Sequence, residues 1–529
     1  MEGTDVYDDL GPGKHLVLDQ HTIADRYRLR RRVHEPKREA GGPVLTVEKP
    51  WEGDSLSVNS VMYDADRGRY RMWYNVLDSV VSDERWSKHP DSLEGNIGEP
   101  QPGYLCYAES EDGVHWDRPG LGIYEHEAGA NNICFKGYSF VQGCSVCYRP
   151  DAPADERYVL VNLDWFSVTS GGVSLAYSSD GIHWAYREER PVIFGESDTL
   201  NNMVFNAERG VHMLYMRGWH SAAIGWIGDW VGGPGRPMSR KADDRDLNLR
   251  RRHASEHPDQ PRLEYLVKYG SIKNERRRVT YSESRDLKEW SEPQIIISPD
   301  ELDVSDLYGM CVFRYGDYYL GQLWVHDDDE WETIEMELAF SRDGVAWSRL
   351  PDRPTFIRRG APGEADGFMV LSAQAPVVVG DDIYVYWTGH DRPHDAGNWL
   401  DGAPAGLENG GKPVVCRGRL RMDGFVSLRA DRRLGALVTR PFVLESDRIL
   451  INAAAYGGEI FAELTEPDAE DVRGKAVAGL GADDFDVFRG DDIGHALSWG
   501  GRSDLSALKG RRLMLRMSMY HTDLFSFTL

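Results

Sequence analysis

Four aspartates occupy matching places in this chain. Asp54 opens DSLSVNSVMYDADRGRYRMWYN and Asp198 opens DTLNNMVFNAERGVHMLYMRG, two stretches that align almost residue for residue. Asp306 opens DLYGMCVFRYGDYYLGQLW and Asp366 opens DGFMVLSAQAPVVVGDDIYVYW on the same scheme. If these runs are neighbouring strands, the four carboxylates gather at one mouth. Like charges held close cannot all ionise cheaply, so at least one pKa must rise. An acid and a base side by side are the equipment for cleaving a glycosidic bond.

The elements that would position them are strands. RYRMWYNV, GYLCYAES, RYVLVNLDW, HMLYMRGW and IYVYWTG alternate with the period of a half-buried strand. Between them a turn recurs: SEDGVHW at 110–116, SSDGIHW at 178–184, SRDLKEW at 284–290 and SRDGVAW at 341–347, with RMDGF around Asp423 as a worn fifth copy. Successive Asp spacings are 68, 106, 57 and 80 residues. Asp accepts backbone N–H bonds inside such a turn, Gly supplies its unusual backbone angle, and Trp closes over the loop. Five units of this kind predict an all-β chain: a five-bladed β-propeller over 1–430, its blades opening near 54, 131, 198, 306 and 366, followed by a C-terminal β-sandwich over 431–529. Asn131 in NNICF, echoing NNMVF at 201–205, is the expected opening of blade two.

Composition narrows the partners. The 529 residues carry 61 Lys and Arg against 86 Asp and Glu, a net charge of −25. Such a surface repels phosphate backbones and anionic lipid, so neither nucleic acid nor membrane is expected as a partner. The six cysteines do not make a disulfide framework, and alternation turns Cys144 and Cys147 of GCSVCY to opposite faces, so neither a metal nor a redox role is expected of them. The N-terminus lacks a signal-peptide pattern, and a cytoplasmic location is expected. Inserts at 82–103, 228–262 and 390–411 are expected to be decoration or lids.

The blades, the S-x-D-[LG]-x-x-W turns, the leading acids and the C-terminal β-domain together resemble glycoside hydrolase families 32, 43 and 68, over roughly residues 45–529. Their W-x-N-D-P-N and R-D-P motifs are absent here, which marks a divergent member. The resemblance implies a hydrolase or transglycosylase acting on a small oligosaccharide or glycoside, of fructofuranoside or arabinofuranoside type, with no cofactor. It puts the nucleophile or general base on Asp54, the transition-state-orienting Asp on Asp198, and the general acid at the place of Asp306, with Glu52, Asp303, Glu364 and Asp366 as substitutes. Trp51 is a candidate sugar platform. Arg217, His326 and His390, at strand ends, are candidate ligands along with Glu52, Glu364 and Asp366. A homo-oligomer is compatible with the sequence. Two alternatives stand beside this: a glycoside phosphorylase, for which Arg217, Arg277 and Arg278 would supply the phosphate site, and a non-catalytic propeller that binds a partner.

Overall fold

The computed structural model describes residues 9–529 except 89–100, 140, 168–169, 196, 222–224, 227–229, 234–235, 241–275, 304–305, 328–331, 395–410 and 469–473. The chain is almost entirely β. Its one described α-helix, Ser79–Lys88, leads into the first insert. None of the described helices is long and apolar enough to cross a membrane.

Most strands fall into antiparallel groups that follow one another along the chain. Group I is Ser55–Asp64, Arg69–Leu77, Gly103–Ser110 and Ile133–Phe135. Group II runs Gln142–Tyr148, Tyr158–Ser167 and Ser170–Ser178, with short outer strands at Ala185–Tyr186 and Ile193–Phe194. Group III is Asn202–Asn206, Val211–Ser221, Arg276–Ser284 and Gln294–Ile297. Group IV starts with Asp306–Tyr315, Tyr318–Asp327 and Thr333–Ser341. Group V holds Met369–Ser372, Asp382–His390 and Val414–Arg421, and its outer edge is Lys37–Arg38 from the N-terminal segment. Groups IV and V share one sheet through a single parallel pair, Ile334 with Met369.

Buried hydrogen bonds on or beside the inner strands tie each group to the next. Val146 N–H donates to Ser60 Oγ (2.9 Å), Asn201 N–H to Gly143 O (2.8 Å), Val312 N–H to Asn202 Oδ1 (2.7 Å) and Trp324 Nε1 to Ser372 Oγ (3.0 Å). Ser60 Oγ donates to Gln374 (2.8 Å), returning from group I to group V and closing the ring. This is a propeller arrangement, with the leading strands innermost.

NNICF falls elsewhere than expected. Ile133–Phe135 is the outermost strand of group I, and group II begins at Gln142. Asn132 is spent there, donating to Tyr107 O and Tyr74 Oη at 2.7 Å. A short apolar triplet reads alike in an innermost and an outermost strand, which is why its echo of NNMVF misled.

The repeated turns do follow the third strand of their groups. In the first, Ser110 Oγ accepts the Gly113 N–H, and Asp112 Oδ1 accepts the N–H groups of Val114 and His115, all at 2.8 Å. Their role extends beyond the loop, because each turn docks on the preceding group. Tyr386 Oη donates to Gly113 O (2.9 Å), Trp73 Nε1 to Gly181 O (2.6 Å) and Tyr215 Oη to Gly344 O (2.8 Å). The motif tryptophans pack across the same seams: Trp116 meets Tyr386 and Trp347 meets Tyr215 edge-on, both at 6.0 Å between centroids. Gly113 has φ +73°, and a Cβ there would sit 2.4 Å from Tyr386 Oη. Gly113→Ala combines a left-handed backbone with that clash, so it should cost about 2–3 kcal/mol and lower the melting temperature by several degrees. An unchanged melting curve would refute the seam role.

The C-terminal sheet differs from the expected division at 430/431. It has eleven strands and draws in Lys14–Leu16, Ile23–Tyr27 and Arg30–Val33 from the N-terminal segment, together with Val426–Ala430. Its strands curl around a core that includes Phe442, Ile460, Trp499 and Phe527, each fully buried. Asp423 bridges the two parts, accepting from Tyr315 Oη (2.8 Å) and Ser526 Oγ (2.6 Å). All six cysteines are reduced and buried, and Cys144 and Cys147 enter separate apolar clusters on opposite faces of their strand.

Candidate active site

Where the leading strands begin, they leave a cavity of about 410 Å³. Its wall takes residues from every group: Ser55, Asn59 and Asn75 from I, Gln142 from II, Asp198 and Thr199 ahead of III, Tyr308 and Trp324 from IV, and Ser372, Thr388 and His390 from V. Arg392 and His394, at the start of the third insert, complete it. Amide and hydroxyl groups share the wall with two aromatic faces and with aliphatic side chains such as Val58, Leu200 and Leu371, a mixed lining that can meet both the hydroxyls and the C–H faces of a polyhydroxylated ligand. Most of these polar residues carry no motif, and sequence alone did not single them out. Tyr308 and His394 had weak signals: one lies two residues past a leading Asp, the other opens an insert.

The four leading aspartates do not share this wall. Among the described residues Asp198 is the carboxylate that lines the cavity. It is ion-paired with Arg217, whose side chain is 2% exposed and whose N–H donates to Ser197 Oγ (3.0 Å). Asp54 immediately precedes Ser55 of the wall, but Ser79 engages it through its N–H (3.0 Å) and its hydroxyl, fixing the start of the helix. Asp366 lies below, 3% exposed, held by Arg38 and by Trp387 Nε1 (3.0 Å).

Asp306 cannot be the general acid expected at its place. It is 1% exposed and is paired with Arg277, which donates from its backbone N (3.1 Å) and Nη1 (2.8 Å). Burial pushes its pKa up, but hydrogen bonding from His326 and the Arg277 charge outweigh that and pull it down to about 2. Such a group holds no proton to give. Its folded pKa lies below the unfolded one, so its stabilisation is complete above about pH 4 and is lost as pH falls toward 2. Wild type should therefore lose melting temperature over that window more steeply than Asp306→Asn. Parallel acid melts of the two proteins would contradict the assignment.

The remaining candidates are structural. Glu52 is fully buried, and its carboxylate accepts from Arg118 Nε (2.7 Å), Tyr74 Oη (2.8 Å) and the N–H groups of Glu48 and Lys49. Trp51 packs in the core of group I and donates to Asn132 Oδ1 (2.7 Å), so it offers no face to a sugar. Glu364 is exposed and closes its own turn by accepting the Ala361 N–H (2.8 Å). Asp303 is bound by Arg349 (2.7 Å). His390 does line the cavity, and burial beside Arg392 lowers its pKa to about 4, leaving a neutral imidazole.

Behind the wall lies a basic and aromatic cluster centred on Tyr308. The Arg217 and Arg277 guanidinium carbons sit 5.8 and 5.2 Å from its ring centroid. Its hydroxyl shares a hydrogen bond with His394 Nε2 (2.7 Å). His326 is fully buried, pairs with Asp306 across the two strands, and packs edge-on against Tyr308 at 5.4 Å.

No family model and no curated protein matches the sequence. Among solved structures the chain is similar to a β-1,2-mannobiose phosphorylase from Listeria innocua in complex with β-1,2-mannobiose, at 13% identity over 74% of this chain and 98% of that one, TM-score 0.44. It is also similar to a thermostable family-43 glycoside hydrolase, at 12% identity over 72% of this chain and 96% of that one, TM-score 0.38. A fructofuranosidase from Schwanniomyces occidentalis complexed with fructosylnystose aligns at 10% identity over 94% of this chain and 98% of that one, TM-score 0.39.

Proposed function

We propose that the chain is a carbohydrate-active enzyme, a glycoside hydrolase or transglycosylase acting on a small furanoside in the cavity ringed by the leading strands. One observation supports this: among the described residues a single carboxylate, Asp198, is presented in a cavity whose wall combines amides, hydroxyls, imidazoles and an arginine with aromatic and aliphatic faces. A sugar fits such a lining because its hydroxyls match the polar groups and its C–H face matches a ring. Asp198, steadied by Arg217, acts as the nucleophile or general base. Asp54 orients from the rim, its carboxylate already fixed by Ser79. We assign the proton donor to the Tyr308 hydroxyl, since Asp306 is ionised and paired. Tyr308→Phe should then slow turnover of alkyl glycosides by about 10²-fold or more, while nitrophenyl glycosides, whose leaving group needs no proton, fall far less. Equal losses on both would remove Tyr308 from that role.

A second reading, phosphorolysis, is favoured by the guanidinium groups of Arg392, on the cavity wall, and of Arg217 and Arg277 behind it. Phosphate would replace water as the acceptor. Turnover measured with and without inorganic phosphate separates the two: a hydrolase is indifferent to phosphate, and a phosphorylase requires it and releases a sugar phosphate. If no glycoside is turned over under either condition and no sugar raises the melting temperature, the propeller is a binding module for another partner.

A further inference from the structure

Two imidazoles and a carboxylate converge beside the cavity without belonging to the sugar-binding wall as a set. Ligand atoms of His326, Glu332 and His394 all lie within 4.8 Å of one another. His326 and Glu332 are buried, and His394 reaches the cavity. They come from separate places: the end of the second strand of group IV, the start of its third, and the insert between the second and third strands of group V. The backbone brings them together, with the His394 N–H donating to Glu332 O (2.9 Å) and Glu332 itself at φ +51°. That positive φ in a residue other than Gly or Asn is a conformation the surroundings must impose.

We propose that His326, Glu332 and His394 bind a divalent transition-metal ion, with the remaining coordination positions open toward the cavity. The second ring nitrogen of each histidine supports this. His326 Nε2 points to Glu332 (3.2 Å), while its Nδ1 lies 3.9 Å from Asp306 Oδ2. His394 Nε2 is taken by the Tyr308 hydroxyl at 2.7 Å, so Nδ1 is its ligand atom. An outer carboxylate or hydroxyl behind each imidazole is how metal-binding histidines are oriented. Two nitrogens and one carboxylate suit Zn²⁺, Co²⁺, Mn²⁺ or Fe²⁺ and not Ca²⁺ or Mg²⁺, which prefer oxygen alone. The plainer account is a His326–Glu332 ion pair with no ion, and the experiment must separate the two.

The test is a Co²⁺ titration of the full chain, stripped with EDTA and dialysed, followed by visible absorption, then competition with Zn²⁺. The expected result is one equivalent with ligand-field bands displaced by Zn²⁺ but not by excess Ca²⁺. Glu332→Gln and His394→Ala should each weaken Co²⁺ binding at least about 10-fold, with the apo proteins melting within a few degrees of wild type. If Glu332→Gln fails to fold, His394→Ala, which changes a half-buried side chain, decides. Absence of a saturable Co²⁺ spectrum in wild type overturns the proposal in favour of the bare ion pair. So does an unchanged affinity in the folded variants. Neither outcome depends on whether the chain cleaves a glycoside.

Discussion

Asp198→Asn should abolish turnover, by about 10³-fold or more, on any glycoside that the wild type cleaves. The change is isosteric and removes the one carboxylate the described cavity presents. It also takes the counter-charge from Arg217, which is almost fully buried. Loss of a partner to a buried guanidinium is costly, but Asp198 is 27% exposed and water softens the penalty, so a loss of about 1–3 kcal/mol is expected. Initial rates on nitrophenyl furanosides, alongside a melting curve, check both parts. A folded variant with wild-type rates would move the reacting carboxylate elsewhere, to Asp54 first.

Glu52→Gln should behave in the opposite way. Its carboxylate is fully buried and accepts from four residues, Arg118 foremost. Gln keeps the shape but removes the buried counter-charge of Arg118, itself 7% exposed, and leaves it only the exposed Glu48 carboxylate at 3.3 Å. Removing one member of such a pair costs about 3–5 kcal/mol. The melting temperature should fall markedly, while the fraction that remains folded at low temperature keeps its kcat. Loss of kcat without loss of stability would return Glu52 to the site.

These two residues show what a single sequence can and cannot yield. The turns at Asp112, Asp180, Asp286 and Asp343 were legible because their hydrogen bonds are local, made within three residues of the Asp. The heads of the leading strands other than that of group II were legible for the same kind of reason, since alternation and spacing are properties of short stretches. What each head residue does depends on distant partners. Arg118 reaches Glu52 across 66 positions, and His394 reaches Tyr308 across 86. No pattern in the sequence marks Arg277 as the partner of Asp306 or Ser79 as that of Asp54. A buried, neutralised carboxylate and an exposed reactive one therefore read alike. The N-terminal strands show the same limit: Lys37–Arg38 and Lys14–Leu16 are short and join sheets formed hundreds of residues later.

The central claim is that the cavity between the leading strands holds a sugar against Asp198. A crystal structure of Asp198→Asn soaked with a cleavable furanoside tests it most directly, because the variant should bind without turning over. The account predicts a sugar ring in the cavity, within hydrogen-bond distance of residue 198 and in contact with Tyr308 or Trp324. A saturating soak that leaves the cavity empty, or places the glycoside elsewhere on the propeller, would contradict it.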